Sequence, residues 1–164
     1  MAQSAPFDPD IARDVIAGLK HLPGATLPIL HALQDRFGYV DAAAVPLIAD
    51  ALNLSRAEIH GVISFYHDFR DAPAGAHVIK LCRAEACQSM GCRDLQRHAE
   101  ARLGVAMGGT RADRRATLEP VYCLGNCALS PAVMIDGELH GRVNAARFDE
   151  LIDGLPAFRS GVRR

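Results

Sequence analysis

The chain predicts an α/β fold in two parts. A bundle of short helices occupies residues 1–75, and a small layered domain with the element order β-α-β-β-β-α occupies 76–164. Three observations carry this reading. Apolar residues recur at helical spacing as far as Tyr66. Beyond that point short runs rich in Val, Ile and Leu alternate with helical stripes. The charge also changes sign: residues 1–75 carry 5 Lys+Arg against 9 Asp+Glu, a local −4, and residues 76–164 carry 13 against 10, a local +3. Between the two lies Ala72-Pro73-Ala74-Gly75, a turn-forming stretch.

The first part opens with Asp8-Pro9, an N-cap and first-turn pair, followed by the stripe Ile11, Val15, Leu19 and Leu22 and the stop Pro23-Gly24. Leu27, Leu30, Leu33 and Phe37 make a second helix that Gly38 ends, and Val45, Ile48, Ala49 and Leu52 make a third. Ser55-Arg56-Ala57-Glu58 fits a capping box, in which each side chain satisfies a backbone donor of the other residue. Ile59, Val62, Ile63 and Tyr66 continue from it as a fourth helix. These stripes are one-sided, so the helices bury their apolar faces against one another or against a partner.

In the second part His77 to Leu81 predicts a strand ending at Cys82, and Gly91 to Leu103 a helix with Leu95, Ala99 and Leu103 on one face. Thr117 to Tyr122 predicts a second strand ending at Cys123, with Pro120 pointing to an edge position or an irregular strand end. Ala132 to Ile135 and Glu138 to His140 flank Asp136-Gly137, a hairpin signal. A last helix carries Phe148, Leu151, Ile152 and Leu155, with Asn144 as its cap. This order is a layer fold of the thioredoxin-like kind.

Composition narrows the function. With 164 residues, 49% hydrophobic and 23% charged, the chain suits one folded domain with an extension rather than disorder. No apolar run approaches the ~18–20 residues of a membrane span. The start, MAQSAPFDPD, lacks the basic and apolar regions of a secretory signal, so a cytoplasmic location is expected. A net charge of −1 argues against nucleic-acid binding. Gly108-Gly109-Thr110 lacks the rest of a P-loop, and no G-x-G-x-x-G occurs, so NAD is expected on another subunit. The seven histidines do not cluster at ligand spacing, and Arg111, Arg114 and Arg115 form a basic loop of the usual solvated kind.

The five cysteines carry the chemistry. Cys82 and Cys87 form C-x4-C, Cys123 and Cys127 form C-x3-C, 35 residues separate the pairs, and Cys92 is left over. If strand, helix and strand make one crossover unit, the two strands are parallel neighbours and both cysteine loops open at the same sheet edge. Three groups could then engage four thiols. Structural zinc takes four thiolates, usually from tighter knuckles, although the second pair fits its looser spacings. A thioredoxin-type dithiol needs C-x-x-C, which is absent. A [2Fe–2S] cluster takes two thiolates on each iron, but neither the plant-type spacing nor the Cys-x-His of a Rieske centre is present.

These spacings, together with Cys123-Leu124-Gly125-Asn126-Cys127 and Pro131, resemble the thioredoxin-like [2Fe–2S] ferredoxin family. Phe37-Gly38-Tyr39-Val40, Ile48-Ala49, Gly61-Val62-Ile63-Ser64-Phe65-Tyr66, Phe69 and Pro73-Ala74-Gly75 extend the resemblance over nearly the whole chain. The family includes the NuoE-type subunit of NADH dehydrogenases, the diaphorase subunit of NAD-linked hydrogenases and the gamma subunit of NAD-dependent formate dehydrogenases. Where the family often has Asp-Gly before the second strand, this chain has Asp113-Arg114-Arg115-Ala116. Cys87-Gln88-Ser89-Met90-Gly91 resembles the formate dehydrogenase gamma subunit, whereas NuoE-type chains tend to carry Trp there and this chain has none.

The resemblance implies a non-catalytic electron-transfer subunit of an NAD-dependent formate dehydrogenase, with the NuoE-type or hydrogenase diaphorase subunit as the alternative. It implies one [2Fe–2S] cluster on Cys82, Cys87, Cys123 and Cys127. It also implies a flavoprotein partner that binds FMN and NAD, a large molybdenum-type formate dehydrogenase subunit, and no membrane insertion. A zinc-stabilised interaction module is the alternative of another class. Cluster charge is expected to be offset by Arg83, by the helix starting at Gly91 and by amides turned at Gly125.

Overall fold

The computed structural model describes residues 6–156 and 158. Residues 1–5, at the start of the segment read for a signal sequence, and 157 and 159–164, at the end of the second part, lie outside the described residues. The chain divides into two compact units between Pro73 and Ala74.

The first unit holds α1 (Pro9–Leu19), α2 (Thr26–Phe37), α3 (Ala44–Leu52) and α4 (Arg56–Phe65). Asp8 caps α1, its Oδ1 accepting the backbone N–H groups of Asp10 at 2.8 Å and Ile11 at 3.3 Å. The residues α1 buries most deeply are Ala12 and Ile16, with the expected Ile11, Val15 and Leu19 half-buried beside them. The small Ala12 lets the neighbouring helices approach that face closely. The capping box of α4 is formed: Ser55 Oγ accepts the Glu58 N–H at 3.2 Å, and Glu58 Oε2 accepts the Ser55 N–H at 2.8 Å. The helix stops at Phe65 because Tyr66 is extended, one residue short of expectation. The following segment is clamped to α2 by Gln34, whose amide donates to Asp68 O at 2.8 Å and accepts the Arg70 N–H at 2.7 Å. Ile29, Leu30, Leu33, Phe37, Ile48 and Ile59 form the core of this unit.

The second unit holds β1 (His77–Cys82), α5 (Glu85–Ser89), α6 (Cys92–Leu103), β2 (Ala116–Val121), a 3-10 turn (Cys127–Leu129), β3 (Val133–Ile135), β4 (Glu138–His140) and α7 (Ala145–Gly154). The sheet order is β2-β1-β3-β4, with β1 and β2 parallel and the other pairs antiparallel. The mixed α/β layer agrees with the expected class, and Pro120 does lie on an edge strand. Ile79, Leu81, Leu118, Val133 and Ile135 pack with Leu95, Ala99, Leu103, Phe148 and Ile152 into one core. Asp136 and Gly137 turn the hairpin with φ of 51° and 90°. The Asp136 carboxylate accepts the Val78 N–H at 2.8 Å and meets His77 Nδ1 at 2.5 Å, a structural role for that histidine.

In the second unit three features differ from the sequence reading. A short α5 precedes α6, Gly91 caps α6 at φ 86° instead of lying within it, and β2 stops at Val121, so that Tyr122 separates Cys123 from the strand end. The basic loop is tied inward. Arg111 donates to both Asp113 oxygens at 3.0 and 2.9 Å and also to Leu103 O, and Arg115 Nε lies 3.4 Å from Asp113.

Two outcomes follow from this packing. The Arg111 hydrogen bond, and after it the Arg115 N–H, pulls the Asp113 carboxyl down to about 2. Because the folded value is depressed, the stabilisation is fully present above the ordinary carboxylate range and is lost as the pH falls through about 2. Carboxyl titration by NMR should find this group the last to protonate among its neighbours. A Cβ added at Gly75 would stand 2.7 Å from the Ala116 backbone. Gly75→Ala is therefore expected to cost about 1–3 kcal/mol in urea unfolding, and an unchanged midpoint would contradict the close approach.

Candidate metal centre

Two loops leave the same edge of the sheet. β1 ends at Cys82, whose N–H donates to Ala132 O at 3.1 Å, and the next N–H, that of Arg83, donates to Val121 O at 2.7 Å. The bond to Val121, the last residue of β2, thus carries the parallel ladder one residue past the end of β1. Cys87 follows in α5, whose exit is held by Gln88 Nε2 donating to Arg83 O at 2.9 Å. On the other strand Cys123 takes a left-handed φ of 115° and Gly125 one of 75°. This bend turns the Gly125 N–H onto Cys123 Sγ at 3.3 Å, the role expected of that glycine. Cys127 opens the 3-10 turn, which brings its sulfur to 3.9 Å from Cys123 Sγ.

That separation tests what the pair fits. Two thiolates on one tetrahedral metal, with bonds of about 2.3 Å, lie about 3.8 Å apart. Cys123 and Cys127 meet this with reduced thiols and no movement. The other pair is different in setting: Cys82 and Cys87 are buried, whereas Cys123 and Cys127 are exposed.

The electrostatics join the two loops. The Cys127 thiol is pushed up first by its hydrogen bond with Cys123 and by that neighbour's charge, then by burial, then by Cys87 and Cys82. Cys92, the first residue of α6, is also buried. Burial raises its thiol most, Cys87 and Cys82 raise it further, and Arg83 and Arg93 oppose the shift. The spare cysteine therefore stands on the side of the buried pair, and the charge of Arg83 is felt there.

One residue beside the cysteines escaped the sequence reading. Ser130, buried just after the 3-10 turn, accepts a hydrogen bond from Cys87 Sγ at 3.6 Å and donates its own to Cys127 O at 2.7 Å. Serine in a loop before proline carries no signal of this kind.

The chain matches the model of the thioredoxin-like [2Fe–2S] ferredoxins over residues 12–156. It is 35% identical over 129 residues to the E subunit of the NADH-quinone oxidoreductase of Pseudomonas aeruginosa, covering 79% of this chain and 78% of that one. It is 29% identical over 143 residues to the HndA subunit of the NADP-reducing hydrogenase of Solidesulfovibrio fructosivorans, covering 85% and 84%. Among solved structures, an air-oxidised NAD+-reducing [NiFe]-hydrogenase superposes with a TM-score of 0.68 at 30% identity. The match covers 82% of this chain and 23% of that one, so the chain spans about a quarter of the hydrogenase polypeptide.

The difference in burial predicts an order of reaction. In the metal-free protein under native conditions, iodoacetamide should modify Cys123 and Cys127 well before Cys82, Cys87 and Cys92, as mapped by mass spectrometry. Equal labelling of all five would contradict the arrangement.

Proposed function

The chain belongs to the thioredoxin-like [2Fe–2S] ferredoxin family, and on that premise we propose that it is the electron-transfer subunit of an NADH-linked oxidoreductase complex. Its cofactor is a [2Fe–2S] cluster, and we assign Cys82, Cys87, Cys123 and Cys127 as the ligands. The observation that carries the assignment is the delivery of both cysteine pairs to one sheet edge, with the second pair already 3.9 Å apart.

The bound cluster supplies a site that accepts and returns one electron at a time. The chain's own residues do the rest. β1 and α5 bury Cys82 and Cys87 away from water. The left-handed bend at Cys123 and Gly125 aims a backbone N–H at sulfur, where it offsets negative charge. Cys123 and Cys127, with the exposed Tyr122 and Leu129 beside them, form the open side through which a redox partner approaches. That partner is a flavoprotein subunit holding FMN and NAD, since this sequence has no dinucleotide fingerprint of its own. Among the described residues no helix is long and apolar enough to cross a membrane.

The NuoE-type or hydrogenase diaphorase role is the reading that the relatives favour. A formate dehydrogenase gamma subunit, working with a large molybdenum-type subunit, is the second reading. It rests on Cys87-Gln88-Ser89-Met90-Gly91 and on the absence of Trp. The native complex, purified through this chain, distinguishes them: it should oxidise NADH with quinone, reduce NAD+ with hydrogen, or reduce NAD+ with formate.

Ligand assignment has its own test. The purified chain should be brown, with a reduced-state EPR signal. Cys92→Ser should keep the visible spectrum, whereas serine at Cys82, Cys87, Cys123 or Cys127 should diminish or abolish it. Bleaching by Cys92→Ser would overturn the assignment.

A further inference from the structure

We propose that Ser130 is a positioning residue for the buried side of the cluster: its hydroxyl donates to the Cys87 sulfur once that sulfur is metal-bound, and so raises the reduction potential. The inference rests on the ligand assignment above and goes beyond it.

The argument is a count of protons. With Cys87 as a thiol, its Sγ donates to Ser130 Oγ at 3.6 Å, and the Ser130 hydroxyl donates to Cys127 O at 2.7 Å. Binding to iron removes the thiol proton, so Cys87 Sγ changes from donor to acceptor. The one proton left between the two atoms is then the hydroxyl's own. Turning it toward sulfur does not strand the Cys127 carbonyl, because that oxygen also accepts the Ser130 backbone N–H at 3.3 Å. Ser130 and Cys87 are both buried, at 7% and 2% exposure, so water is a poor competitor for this sulfur.

The bond favours reduction. A cluster on four thiolates carries one more negative charge when reduced, and a hydrogen bond to a charged acceptor strengthens as that charge grows. A low-dielectric setting enlarges the difference. Ser130 therefore supplies from a side chain, on the buried pair, what the Gly125 N–H supplies from the backbone on the exposed pair.

The test uses the purified full chain with its cluster, Ser130→Ala and Ser130→Thr, redox titration followed by EPR, and proton hyperfine spectra in ordinary and deuterated buffer. In S130A the four-cysteine visible spectrum should persist, while the reduction equilibrium weakens severalfold, up to about tenfold. A tenfold change corresponds to 59 mV for a one-electron couple. S130A should also lose an exchangeable proton coupling that the parent shows, and S130T, which keeps the hydroxyl, should restore both. An S130A protein with full cluster content and the parent's potential would overturn the proposal. So would an S130T protein whose potential falls as far as that of S130A, because packing would then be the cause. Should S130A take up no cluster, S130T decides: the parent's potential supports the hydroxyl, and a fallen one overturns it. A parent chain with no visible absorption would overturn the ligand assignment instead.

Discussion

The parallel pairing of β1 with β2 is the constraint on which the proposed metal centre depends. The register sets Cys82 opposite Val121, and the Arg83 N–H extends the ladder by one further bond to Val121 O. Two loops that are far apart in sequence therefore start side by side. A slip of one residue would turn every side chain of β2 to the other face and put Leu118 out of the core. The core thus enforces the register, and the register places the cysteines. Gly75 serves the same pairing at the other end, where β1 begins against the backbone of Ala116 with no room for a Cβ.

What the sequence made legible is what repeats or punctuates. The helix caps at Asp8, Ser55 and Asn144 and the Asp136-Gly137 turn each have one physical meaning, and each is realised; of the two readings that Pro120 allowed, the edge strand is the one observed. The short α5 was not legible, because five residues are too few for a helical period and Cys87 is its one buried residue. The left-handed φ at Cys123 was invisible for another reason: cysteine has no preference for that conformation, and the surrounding loop imposes it. In α1 the stripe was read from the large residues, yet the deepest contacts belong to Ala12 and Ile16. Periodicity finds a face but does not weight a small residue by the closeness it permits.

The same distinction explains why family membership is better defined than the partner. Cysteine spacing and core pattern run the length of the chain and are held by packing. The stretch that bears on the partner, Gln88-Ser89-Met90, is exposed; its ties, Gln88 to Arg83 O and Arg93 and Ser89 to Ala86 O, are local, and none of the three belongs to the core. Such a surface is free to follow its complex while the sheet edge beneath it stays the same.

The two cysteine pairs meet unlike dielectric surroundings, and this shapes the rest of the site. Charge on the exposed Cys123 and Cys127 is moderated by water, and one backbone N–H from Gly125 supplements it. As the proposed ligands, the buried Cys82 and Cys87 would have no such relief, and burying their charge without donors would be costly. Helix α6 opens with Cys92 and has no side-chain cap, and Arg83 and Arg93 oppose the upward shift of the Cys92 thiol. The Ser130 hydroxyl adds a donor that moves between two acceptors, a carbonyl when the thiol is protonated and a sulfur when it is not. A fixed amide has no such choice. On the proposed exchange, a hydroxyl at this position serves Cys87 both as a thiol, by accepting, and as a thiolate, by donating.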